Sequence, residues 1–182
     1  VISCGSLGFG DVESAAHAVL DAGTSTLAVV VCGRNEDLRH HLVGEGDHGG
    51  RLRALGWTDR MPGLTRASDV VVTNAGGATS LEALACGRTV LMYRPIAAHG
   101  KANARLMAEA GLAEVCDDQP QLGAAIRRLH DDPATLLARE RSALAYAQRR
   151  TLADGLRELL RVAGEARSAH HPARPTTHNA PA

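Results

Sequence analysis

Two glycine-rich turns hold the residues whose types and spacing can do chemistry. Gly5-Ser6-Leu7-Gly8-Phe9-Gly10 follows the run Val1-Ile2-Ser3-Cys4, and Asn74-Ala75-Gly76-Gly77-Ala78-Thr79 follows Val70-Val71-Val72-Thr73. Glycine lets backbone lie close to a ligand and reach positive φ. Both turns run into helical patterns, the first opening near Asp11 or Val12. A helix start offers free N–H groups and a partial positive charge. These favour an anion by about 0.3–1 kcal/mol when exposed and up to about 2 kcal/mol when partly buried. Either turn alone reads equally as punctuation between strand and helix. Two converging on one crevice suit a diphosphate. The P-loop pattern G-x-x-x-x-G-K-[ST] is absent, so no P-loop lysine serves the phosphates.

Three more stretches supply polar or flat groups. Thr79-Ser80-Leu81-Glu82 fits the capping box T-x-x-E, in which Glu82 reaches back to its own helix. The other reading is a carboxylate accepting from two ribose hydroxyls. In "GWTDRMPGL" the only tryptophan, Trp57, and Met61 either stack on or wall a base, with the Thr58 backbone reading its edge, or simply anchor a loop. "YRPIAAHGKANARLM" is kept extended by Pro95 and loosened at Gly100. Its His99, Lys101 and Asn103 belong to the crevice mouth or to a solvated loop.

The elements that must position these groups alternate. Strand patterns fall at residues 1–4, 27–32, 52–55, 70–73, 90–93 and 113–116, and helical patterns at 12–22, 36–43, 80–86 and 101–110, with a short turn near 62–67. This alternation predicts an α/β fold, a doubly wound six-stranded parallel sheet with helices on both faces. With the strand order 3-2-1-4-5-6, the first and fourth strands flank the point where order reverses, and both glycine turns face one crevice. Helical patterns at 120–130, 133–149 and 151–163 close the domain. Residues 1–164 are therefore expected to form the binding domain. Residues 165–182, rich in Pro, Ala and His, are expected to be a disordered tail, solvated rather than metal-binding.

Composition narrows the function classes. Apolar residues make up 45% and aromatics 2%, so the core must be aliphatic. The 20 basic and 20 acidic residues cancel, which removes the basic excess of a nucleic-acid binder. No apolar run reaches membrane-spanning length. Cys4, Cys32 and Cys116 end apolar runs and, like Cys86, form no C-x-x-C pair. They read as reduced core thiols of a cytoplasmic protein, with no metal site. The chain opens directly in a strand pattern without Met, which reads as the second half of a larger protein.

"CGSLGFGDVE", "LGWTDRMPGLTRASDVVVTNAGGATSLEALACGRTVLMYRPIAAHGKANA" and "AGLAEV" together resemble the C-terminal domain of glycosyltransferase family 28. The resemblance is most specific over residues 55–104. It implies the donor half of a GT-B fold, two Rossmann-like halves around a cleft. The C-terminal half binds a UDP-sugar, while the other half binds the acceptor, often a lipid at a membrane, and carries the general base. Residue by residue, the resemblance puts Gly5 and Ser6 in the turn that contacts the diphosphate, and Gly76, Gly77 and Thr79 in the second phosphate loop. It puts Trp57 and Thr58 in the loop that reads uracil, Met61 beneath the base, and Glu82 on the ribose hydroxyls. His99-Gly100 stands where relatives often carry Gln-Gln or Gln-Glu facing the donor sugar. Gly100 has no side chain for that contact, which leaves the sugar open; Asn103 keeps the family type.

The resemblance thus implies an inverting, metal-independent transferase of a hexosyl or N-acetylhexosaminyl group from UDP to a lipid-linked or other hydroxyl. It needs no cofactor beyond that substrate. The chain alone is expected to be inactive. Its partners would be an N-terminal acceptor-binding domain or separate subunit and, through it, the inner face of a membrane. Alternatives are a non-catalytic UDP-sugar-binding subunit of a split transferase, or a UDP-sugar epimerase. An NADP-dependent oxidoreductase, in which Arg34 would meet a 2′-phosphate, fits less well. The first turn lacks G-x-G-x-x-G, and neither Tyr93 nor Tyr146 has a lysine four residues on.

Overall fold

Neighbouring residues of the central strands feed two different cores. Val72, Leu91 and Tyr93 pack into one, and Val71, Val90 and Met92 into the other. This period-two alternation makes a strand buried on both faces. The computed structural model describes residues 1–75, 77–97, 99–149 and 152–169. Its strands are β1 (Ile2–Ser3), β2 (Ala28–Val31), β3 (Leu52–Leu55), β4 (Val70–Thr73), β5 (Thr89–Tyr93) and β6 (Ala113–Cys116). They form one parallel sheet in the order β3-β2-β1-β4-β5-β6. The order reverses between β1 and β4, with Ile2 opposite Val72. The expected fold class and switch point are both present.

The helices are α1 (Val12–Ala22), α2 (Glu36–Gly44), α3 (Met61–Ala67), α4 (Ala78–Ala85), α5 (His99–Glu109), α6 (Gln119–Asp131) and α7 (Pro133–Arg149). Residues Val1–Ala147 form one compact unit. Most starts are fixed by side chains. Asp11 accepts from Ser14 N at 3.3 Å, Asn35 from Leu38 N at 2.9 Å and Asp118 from Gln121 N at 2.8 Å. Each such cap is worth about 1 kcal/mol. The short turn expected near 62–67 is a helix, with Pro62 in its first turn, where its missing N–H costs nothing.

The core is aliphatic as expected. Alanines Ala15, Ala16 and Ala18 of α1 and Ala125 of α6 are almost wholly buried, which brings these two helices together over the sheet. Cys4, Cys32 and Cys116 are buried, and burial pushes the first two thiols up to about 11 and the third to about 12. They stay protonated near neutrality and are poor nucleophiles.

The second unit, Gln148–Ala182, contains α8 (Leu152–Ala169). That helix runs five residues past position 164, to Ala169. The rest of the expected tail, 170–182, lies outside the described residues. No helix among the described residues is long and apolar enough to cross a membrane.

Candidate functional site

Because all six strands are parallel, their carboxyl ends share one edge, and the connecting loops there touch in series. Asn74, at the end of β4, donates from Nδ2 to the Phe9 carbonyl at 2.5 Å. This bond joins the two glycine turns directly. Asn74 is 3% exposed. Gly10 is required by this contact. Its φ is +99°, and a Cβ there would lie 2.6 Å from Asn74 Nδ2.

The series extends both ways. Arg34 N donates to the Ser6 carbonyl at 2.8 Å, and the Arg34 guanidinium lies 4.7 Å from the centre of the Trp57 ring, covering one face. On the other side, Ile96 N donates to the Asn74 carbonyl at 3.1 Å and Lys101 N to the Ile96 carbonyl at 2.9 Å. The loops after β1, β2, β3, β4 and β5 thus form one continuous rim. Phe9, Trp57 and Ile96 are exposed along it.

The two helix starts differ electrically. At α1, the Asp11 carboxylate already takes the Ser14 amide and pairs with Arg94. Arg94 holds a left-handed φ of +45°, uncommon for a residue with a side chain. Tyr93 joins the same group, 2.9 Å from Ser14 Oγ, and Ser14 donates to Gln119 at 3.0 Å. Burial, together with the Asp11 charge, pushes the Tyr93 phenol up. The terminus of α1 therefore carries its own anion.

The terminus of α4 carries none. Gly77 caps it with no side-chain bond, and the first turn has no acidic residue. The first intrahelical bond there runs from Leu81 N to Gly77 O at 3.2 Å, so the N–H groups of Ala78, Thr79 and Ser80 precede it. Buried Ser80 ties the helix to its loop by donating to the Ala75 carbonyl at 2.7 Å. The capping-box alternative fails. With Gly77 as cap and no side-chain bond to it, Thr79 is inside the helix, and the Glu82 side chain is exposed.

The sequence-selected residues fall as follows. Exposed Gly5 and Ser6 are in the first turn, and Gly77 and half-buried Thr79 in the second. Trp57 is exposed; Thr58 Oγ1 accepts from Arg60 N at 3.1 Å, just before Met61 opens α3. Asn103 is exposed on α5. Gly76 and the His99 side chain lie outside the described residues. Asn74, Phe9, Asp11 and Arg94 were not singled out. Asp11 has the mark of an N-cap, whereas the Asn74 and Arg94 contacts span long sequence separations with no local signature. An apolar cavity of about 430 Å3 opens at the opposite end of the sheet, beside Val1, Leu27 and Val70, and includes none of the selected residues.

The sequence profile described as "Glycosyltransferase family 28 C-terminal domain" matches residues 1–156. The chain belongs to glycosyltransferase family 28. This family 28 chain is 35% identical over 109 residues to the processive diacylglycerol beta-glucosyltransferase of Bacillus subtilis (strain 168), which covers 59% of this chain and 28% of that protein. The Bacillus pumilus (strain SAFR-032) protein of the same name is 34% identical over the same length, with the same coverage. The chain thus spans little more than a quarter of these relatives. Among solved structures, WaaG, a glycosyltransferase involved in lipopolysaccharide biosynthesis, superposes with a TM-score of 0.65 at 22% identity, over 83% of this chain and 42% of that one. Anabaena HepE in complex with UDP and glucose gives 0.65 at 19%, over 92% and 47%. These likenesses establish the shared fold.

Proposed function

We propose that this chain is the donor-binding half of an inverting, metal-independent glycosyltransferase that moves a hexosyl or N-acetylhexosaminyl group from UDP to a hydroxyl of a lipid-linked or other acceptor. The observation that carries this reading is the Asn74–Phe9 hydrogen bond, which couples both glycine turns at the switch point. The glucosyltransferase names of the relatives, and the UDP and glucose in HepE, support the same substrate class.

In this reading Gly5, Ser6, Gly76, Gly77 and Thr79 hold the diphosphate. Glu82 accepts from the ribose hydroxyls. Trp57, Thr58 and Met61 hold uracil, and His99 and Asn103 face the sugar. The acceptor oxygen attacks the anomeric carbon from the face opposite UDP. The bond from that carbon to UDP breaks, and its electron pair leaves on the diphosphate. A base in an N-terminal acceptor domain or partner subunit takes the hydroxyl proton. Charge growing on the diphosphate meets the open α4 terminus and the first-turn amides. Loss of one such set of donors costs on the order of a hundredfold in rate. No cofactor is assigned to the step. Work on a lipid acceptor would place the complete enzyme at the inner face of a membrane, in glycolipid or envelope synthesis.

Calorimetric titration with UDP tests the reading. The expected result is saturable binding, weakened at least about tenfold in Glu82→Ala, as for loss of hydrogen bonds to a charged group. No detectable binding at millimolar UDP by the folded chain would overturn the function. Unchanged affinity in Glu82→Ala would remove the ribose role alone.

A further inference from the structure

Away from the rim, three imidazoles and two carboxylates meet around Glu45. Glu13 and His17 lie one turn apart on α1, His41 is in the last turn of α2, Glu45 caps α2, and His48 is in the connection entering β3 at its amino end. His17 Nε2 is 2.7 Å from Glu45 Oε2, and His48 Nε2 is 3.9 Å from the same oxygen. The other oxygen, Oε1, is 3.3 Å from His41 Nε2, which is in turn 3.2 Å from Glu13. One ligand atom each from His17, Glu45 and His48 lies within 4.8 Å of the others. The backbone is turned to achieve this, with His48 at φ +50° between Gly46 at +89° and Gly49 at +71°.

We infer that His17, Glu45 and His48 form a binding site for a single divalent transition-metal ion, with zinc as the best match. Neutral imidazole and carboxylate are the donor types zinc takes, at bonds of about 2.0–2.2 Å. Tetrahedral bonds of that length put ligand atoms roughly 3.3–3.6 Å apart. The 2.7 and 3.9 Å separations from Glu45 bracket that spacing, and the His17 and His48 nitrogens lie within 4.8 Å of each other, so side-chain adjustment without backbone rearrangement brings the three to it. A carboxylate only accepts, so the His17–Glu45 contact needs a proton on Nε2. The ion would take that proton's place between the same two atoms. His41, backed by Glu13, holds the second Glu45 oxygen and thereby orients the ligand carboxylate, as outer-shell groups do at metal centres. The three ligands are 20–35% exposed, which leaves an entry path. The ion would clamp α1 to the connection before β3. It takes no part in the sugar transfer proposed above and stands independently of it.

The tail histidines His170, His171 and His178 also bind metals in principle, so the test uses the full chain with all three changed to alanine. After chelator treatment, Zn2+ is titrated against a chromophoric competitor and Co2+ is followed by its visible absorption. One equivalent of each is expected, together with a Zn2+-dependent rise in the thermal midpoint. Glu45→Gln and His48→Ala are each expected to weaken zinc at least about tenfold and to abolish the rise, while His40→Ala leaves both unchanged. The metal-free midpoints show that the variants fold; His48→Ala, on a loop, remains informative if Glu45→Gln does not. No stoichiometric binding in this background, or binding unchanged in the folded ligand variants, would overturn the site.

Discussion

The Asn74 side chain and the Phe9 carbonyl, 65 residues apart in sequence, meet at 2.5 Å and lock the two glycine turns against each other. Asn74 Nδ2 is a donor that neither Ala nor ionised Asp supplies. Asn74→Ala is expected to destabilise the fold by about 1–3 kcal/mol, the usual cost of leaving a half-buried carbonyl without its partner. Asn74→Asp should cost more, because it turns a charge toward that carbonyl. Urea unfolding measures both. An Asp variant as stable as the native chain would show that the contact does not hold the turns.

The first turn also leans on the β2–α2 connection. Gly33 has φ +62°, and a Cβ there would lie 2.3 Å from the Ser6 carbonyl. Gly33→Ala must therefore displace the turn. We expect UDP affinity at least about tenfold weaker, from loss of its hydrogen bonds, with helix content by circular dichroism retained. Gly63 in α3 has nothing within 4 Å of an added Cβ and no left-handed φ. Gly63→Ala should leave UDP binding unchanged and stabilise by about 0.5–1 kcal/mol.

At the far edge, Glu114 of β6 holds Arg128 of α6 and Arg139 of α7, each at 2.6 Å. Burial raises the Glu114 pKa, but the two guanidinium groups outweigh it and hold the carboxyl below its ordinary value. A carboxylate depressed in the folded state contributes stability that is complete above its unfolded pKa, near 4.3. That stability is lost as pH falls through the lower folded value. The thermal midpoint of the native chain should thus drop between roughly pH 5 and 3. Glu114→Gln should melt lower at pH 7 and show a shallower drop. Identical slopes would remove Glu114 from the acid response.

Much of this architecture was legible because it rests on local pattern. The segments 70–73 and 52–55 coincide with β4 and β3 to the residue, and the Asp11 cap starts α1 where the apolar periodicity begins. The switch point followed only from taking the common strand order 3-2-1-4-5-6, which the sheet has. Glu82 shows the limit of pattern. T-x-x-E is present, but the helix starts at Ala78 with Gly77 as its cap, which moves Thr79 off the cap. The His/Glu cluster was not read from the sequence, although Glu13 and His17 are four apart on α1 and His41 is four before the α2 cap Glu45. Their convergence depends on how α1 and α2 pack and on the left-handed turn at His48, neither of which a helical spacing encodes.

If both glycine turns grip one diphosphate, their amides respond as one group, and nuclear magnetic resonance during a UDP titration reads that response residue by residue. Amides of Gly5, Ser6 and Leu7 and those of Ala78, Thr79 and Ser80 are expected to shift together, with one common dissociation constant. Shifts confined to a single turn, or located at the opposite end of the sheet around Leu27 and Val70, would contradict the shared grip.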